Sequence, residues 1–82
     1  MYTDSMRRAF HSLKGPKSFN LQIIDHDNFL TVKASEKEFM ALSGEERKQA
    51  VEYMVRTKKA LEDNGAIVLL VREGGKELWL RV

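Results

Sequence analysis

The chain has no cysteine, a single proline, five glycines and no long apolar run. Without cysteine there is no disulfide framework, no thiolate nucleophile and no cysteine-based zinc site. The longest apolar stretch, Ala66 to Val71, has the length of a strand and falls far short of the ~20 residues that span a bilayer. The N-terminus lacks the apolar core of a secretory signal, so a cytoplasmic protein without membrane contact is expected.

Histidines are also few. His11 lies among basic residues of a surface helix and His26 lies in a polar turn, neither beside a nucleophile motif. Gly74-Gly75-Lys76 lacks the leading glycine and the Ser/Thr of a phosphate loop, and it precedes a strand rather than a helix. Asp25-His26-Asp27-Asn28 gathers metal-ligand types, but a calcium loop starting at Asp25 would have Leu30 where glycine is required. These absences point away from an enzyme, a metal site and a cofactor, and toward a protein that works by binding.

What is present is charge and apolar patterning. Of 82 residues, 43% are hydrophobic and 32% charged, the composition of a small globular domain with a limited core. The net charge of +2 is unevenly spread. Through Lys17 the chain carries Arg7, Arg8, Lys14 and Lys17 against one acid, Asp4, whereas the remainder holds ten basic and eleven acidic side chains. Two regions follow: a basic N-terminal helix and linker over 1–17, and a ββααββ domain over 18–82.

Met6, Phe10 and Leu13 line one face of a short helix that Gly15-Pro16 ends. Strand-like runs Ser18 to Ile24 and Phe29 to Ala34 flank the polar turn at Asp25–Asn28 and predict a hairpin. Ser35-x-x-Glu38 and Ser43-x-x-Glu46 have capping-box form and open two helices. The second, from Gly44 to Asp63, carries Ala50, Val51, Met54, Val55 and Leu61 inward and stops at Asn64-Gly65. Ala66 to Glu73 and Lys76 to Val82 predict a second hairpin about Gly74-Gly75. The expected fold is thus α+β: a small four-stranded antiparallel sheet, two hairpins flanking a main helix, with a short N-terminal helix.

The strand alternation suggests a sheet face that the main helix leaves uncovered. It would display Trp79, Phe29, Val68 and Leu70 among Lys33, Arg72, Arg81 and Gln22. Covers for that face are the N-terminal helix, a second copy of the chain, or a ligand. Rings for base stacking and cations for phosphates make RNA or DNA one expected partner. The expected contacts are Phe29, Lys33, Arg72, Trp79 and Arg81 on the sheet, and Arg7, Arg8, Lys14 and Lys17 at the N-terminus. Arg56, Lys58 and Lys59 near the end of the main helix would extend them. The same residues suit a protein partner, an inhibitor or adaptor role through the sheet face or an edge strand, and a homodimer.

The order of two hairpins around a helix is similar to that of the double-wing DNA-binding domain of phage middle-promoter activators. The likeness lies in element order over the last two-thirds of the chain and implies a phage-type regulator that contacts DNA. No sequence motif accompanies it.

Overall fold

A computed structural model describes residues 1–73. The expected Gly74-Gly75 turn and the strand Lys76 to Val82 lie outside the described residues, as do Trp79 and Arg81. The elements run α1 (Asp4–His11), β1 (Leu21–Asp25), β2 (Leu30–Ser35), α2 (Glu36–Ala41), α3 (Gly44–Asp63) and β3 (Val68–Glu73).

Local signals set most of the boundaries. The Thr3 hydroxyl caps α1 by accepting from Met6 N–H. At α3 the full reciprocal box forms: Ser43 Oγ accepts from Glu46 N–H and the Glu46 carboxylate from Ser43 N–H. The Ser35 box is only half made. Ser35 Oγ accepts from Glu38 N–H, but the Glu38 carboxylate turns to Asn20 N–H at the entry to β1. Gly65, at φ 95°, closes α3 in the left-handed region that glycine enters without steric cost. Between β1 and β2 the chain reverses at Asp27, φ 69°, where Asn28 N–H donates to the His26 carbonyl in a γ-turn.

The hairpin is as expected, but the sheet is not. Its order is β1-β2-β3, with β1 antiparallel and β3 parallel to β2. The described sheet is therefore three-stranded and mixed, neither four-stranded nor purely antiparallel. The cause is the connection: α2 and α3 carry the chain back to the end where β2 began, so β3 enters in the same direction. The second hairpin of the two-hairpin order, about Gly74-Gly75, lies outside the described residues.

The second correction concerns the faces. Val68 and Leu70, expected on the uncovered face, are buried with Met6, Leu30, Val32 and Leu61. Ile67 and Leu69 are instead 67% and 42% exposed. Met6 brings α1 into the same cluster, so α1 lies on the α3 side of the sheet and does not cover the other face. A second cluster joins Phe19, Ala34, Leu42, Ala50 and Met54 near α2. On α3 the buried stripe is Ala50, Met54, Thr57 and Leu61, with Val51 exposed rather than inward. Thr57 is buried without loss because its hydroxyl donates to the Tyr53 carbonyl.

Two features fasten α1. Ser5 Oγ donates to Asn64 Oδ1 beyond the C-terminus of α3, and Phe10 stacks on Tyr53 at 6.3 Å. Tyr53 also lies so close to Gly15 that a Cβ there would overlap its ring. Glycine is therefore required at 15 for close approach.

The N-terminus is held by Asp25. Its carboxylate accepts from Asp27 and Tyr2 N–H, each at 2.8 Å, and pairs with the Met1 amine at 3.1 Å. The Asp27 and Tyr2 amides, then the amine, hold its pKa below the ordinary 3.8. A lowered folded pKa stabilises the protein above the unfolded value, and that stability is lost as pH falls through the folded one. Thermal melts of the wild type are therefore expected to lose stability below about pH 4, and Asp25→Asn to melt lower near neutral pH with a flatter acid limb. An unchanged acid limb in Asp25→Asn would show that this clasp contributes nothing.

Candidate nucleic-acid interface

The described residues expected to touch a nucleic acid divide between two sides of the molecule. Arg7 and Arg8 project from α1, and Lys14 and Lys17 from the segment that joins it to β1; all four are exposed. Arg7 rests over the Tyr2 ring, 5.4 Å from its centroid. No ion pair among the described residues engages Arg7, Arg8, Lys14 or Lys17. The segment keeps its charge because its single acid, Asp4, opens α1, where a carboxylate complements the positive helix end.

Two cations of the main helix, Arg56 and Lys58, behave differently, whereas Lys48 and Lys59 enter no ion pair among the described residues. Lys58 Nζ meets Glu62 at 2.7 Å and Arg56 approaches Glu52 at 3.9 Å, both at i,i+4 spacing. Lys59 is exposed on the same helix. Arg72 reaches the Glu36 carboxylate at 3.1 Å, tying β3 to the start of α2. Its alternation places it on the helix-covered side of the sheet with Val68 and Leu70, not on the open face where it was expected.

The open face carries only part of the expected set. Cross-strand rows place Ile24 beside Thr31 and Leu69, and Gln22 beside Lys33 and Val71. Lys33 is the one lysine or arginine in these rows, and it is half-buried. Phe29, also half-buried, stacks on His26 with centroids 4.5 Å apart and planes 17° apart. One face of each ring is thereby already used. The His26 ring further bonds Thr31 Oγ1 through Nε2 at 2.8 Å.

His26 was read from sequence as part of a plain polar turn. The signal that finds it is register: His26 N–H donates to the Phe29 carbonyl, so the two residues close the hairpin opposite one another and their rings meet. Beside this turn a cleft of about 350 Å³ is lined by Thr3, Met6, Asp27, Asn28, Asn64 and Ile67, among others. Its lining includes Asp27 and Met1, whose amine donates to the Asp27 carbonyl, and no basic side chain. No group of three or more His, Asp or Glu able to hold a metal comes together among the described residues.

The chain matches no family model, no curated protein and no solved structure. No helix among the described residues is long and apolar enough to cross a membrane.

Proposed function

We propose that this is a small binding protein that contacts RNA or DNA through the cations of its N-terminal segment, with no residue assigned a catalytic role. One observation carries the reading. Among the described residues Arg7, Arg8, Lys14 and Lys17 stand exposed without an acidic partner, and no acid lies between positions 7 and 17. Arg56, Lys58 and Arg72 are instead ion-paired, and Lys37, Lys48 and Lys59 are exposed outside this run. A surface cation that neutralises a phosphate releases condensed counterions, and this drives association without base recognition. An internally paired cation would first have to leave its carboxylate. Phe29 and Lys33 face away from this surface, so the reading assigns the contact to the phosphate backbone and leaves base stacking out.

The test is a fluorescence-anisotropy titration of short labelled RNA and DNA at several salt concentrations. Binding should weaken linearly on a log–log plot, with a slope of about −0.7 to −0.9 for each phosphate neutralised. A flat salt response would remove the proposal.

A second reading has its own support. Ile67 and Leu69 are exposed on a face that neither α1 nor α3 covers, with Ile24 and Val71 beside them. Such a face suits an inhibitor or adaptor that docks on a protein. Under it, Leu69→Asp would abolish capture of the partner while leaving salt-dependent nucleic-acid binding intact.

A further inference from the structure

We infer that β1 is a self-recognition edge: two copies of the chain join through antiparallel β1–β1 pairing about a two-fold axis at Ile23. This inference is independent of the nucleic-acid reading and goes beyond it, because it names a strand, a register and a symmetry.

The ladder phase supports it. His26 N–H bonds the Phe29 carbonyl, so His26–Phe29 is a hydrogen-bonded pair of the hairpin. In an antiparallel ladder these pairs alternate, which makes Ile24–Thr31 and Gln22–Lys33 hydrogen-bonded as well. The backbone groups of Leu21, Ile23 and Asp25 then point away from β2. Among the described residues β1 pairs with β2 alone, and the outward groups of Leu21 and Ile23 make no hydrogen bond.

The edge is complementary to itself. A two-fold at Ile23 places Ile23 opposite Ile23 of the second copy, and Leu21 opposite its Asp25. Each is then a hydrogen-bonded pair that uses the outward groups. Gln22 falls opposite Ile24 on the open face. No like charges oppose, because the only ionised residue of the strand, Asp25, meets Leu21 and already holds the Met1 amine. Natural edge strands are guarded by short length, by charged side chains, lysine above all, by proline or by a bulge. The one charge of β1, Asp25, stands at its end and is paired with the Met1 amine. Leu-Gln-Ile-Ile-Asp has no lysine, proline or bulge. Leu21 and Ile23 point to the core side yet remain half-exposed, and pairing would cover them from the flank.

The register dictates the test. Gln22 and Ile24 form a non-hydrogen-bonded pair across the two-fold, with Cα atoms about 4.5 Å apart, within disulfide range. The chain has no cysteine of its own. Gln22→Cys protein mixed with Ile24→Cys protein should form a covalent dimer rapidly under mild oxidation, and each alone should do so far more slowly. Light scattering should find a dimer of the unmodified chain. In Gln22→Glu/Ile24→Glu the carboxylates would oppose across the axis while Glu at 22 faces Lys33 within each chain, and the dimer dissociation constant should rise about tenfold or more. A monomer at every concentration would overturn the inference. So would a dimer that the double variant does not weaken, or cross-linking that is no faster in the mixture.

Discussion

Exchanging Arg8, Lys14 and Lys17 together for glutamine is expected to weaken nucleic-acid binding about a hundredfold or more near 0.1 M salt, since each lost phosphate contact removes about five- to eightfold there. The log–log salt slope should become shallower by about 2 to 3 in the same variant. Stability should change little, because all three side chains are exposed and none is ion-paired among the described residues. Lys37→Gln and Lys48→Gln remove exposed charges from α2 and α3 and serve as controls. Equal losses per charge removed in the controls and the triple variant would mean that net charge, and not the N-terminal segment, governs binding. Anisotropy titrations at matched salt distinguish the two.

Leu61→Ala should have the largest effect on stability. Leu61 is fully buried where α3 meets α1 and the sheet, in contact with the cluster of Met6, Leu30, Val32, Val68 and Leu70. Truncation there costs about 2–5 kcal/mol through lost transfer energy and the cavity left behind. A domain this small has about 5–15 kcal/mol in total. At about 4–8 °C per kcal/mol, the melting temperature should fall by about 10 °C or more. Val51→Ala is the informative partner, because the sequence pattern put Val51 inward and the fold leaves it exposed. It should cost no more than about 0.5 kcal/mol. Comparable losses in both variants would contradict the packing of α3.

That contrast shows what a sequence can and cannot convey. Ser43 with Glu46 and Asn64 with Gly65 mark both ends of α3, because caps are local chemistry. The β1–β2 hairpin was legible for the same reason. The buried stripe of α3 was misread because Val51 outranks Thr57 in hydrophobicity, while the Tyr53 carbonyl satisfies the Thr57 hydroxyl. Strand β3 posed a harder problem. Ile67, Leu69 and Val71 on one side are as apolar as Val68 and Leu70 on the other, so alternation could not say which side meets the helices. Its parallel pairing depends on where α3 delivers the chain, which is a tertiary fact.

The candidate site was legible as a list of cations but not as a surface. Sequence placed Phe29, Lys33 and Arg72 together; the fold puts Arg72 beside Glu36 on the covered side and leaves Phe29 and Lys33 on the open face. Charge segregation in the N-terminal segment survived because it follows from composition over a short stretch. Ion pairing within α3 also follows from i,i+4 spacing, and it separates Arg56 and Lys58 from the cations of that segment, which enter no ion pair among the described residues.

The most direct measurement is an amide-resolved NMR titration of the protein with a short oligonucleotide. The shifts should concentrate on Arg7, Arg8, Lys14 and Lys17 and their neighbours, and should fade as salt is raised. Shifts confined to the open face at Gln22, Ile24, Lys33 and Leu69, or none at stoichiometric oligonucleotide in low salt, would contradict a nucleic-acid contact carried by the N-terminal cations.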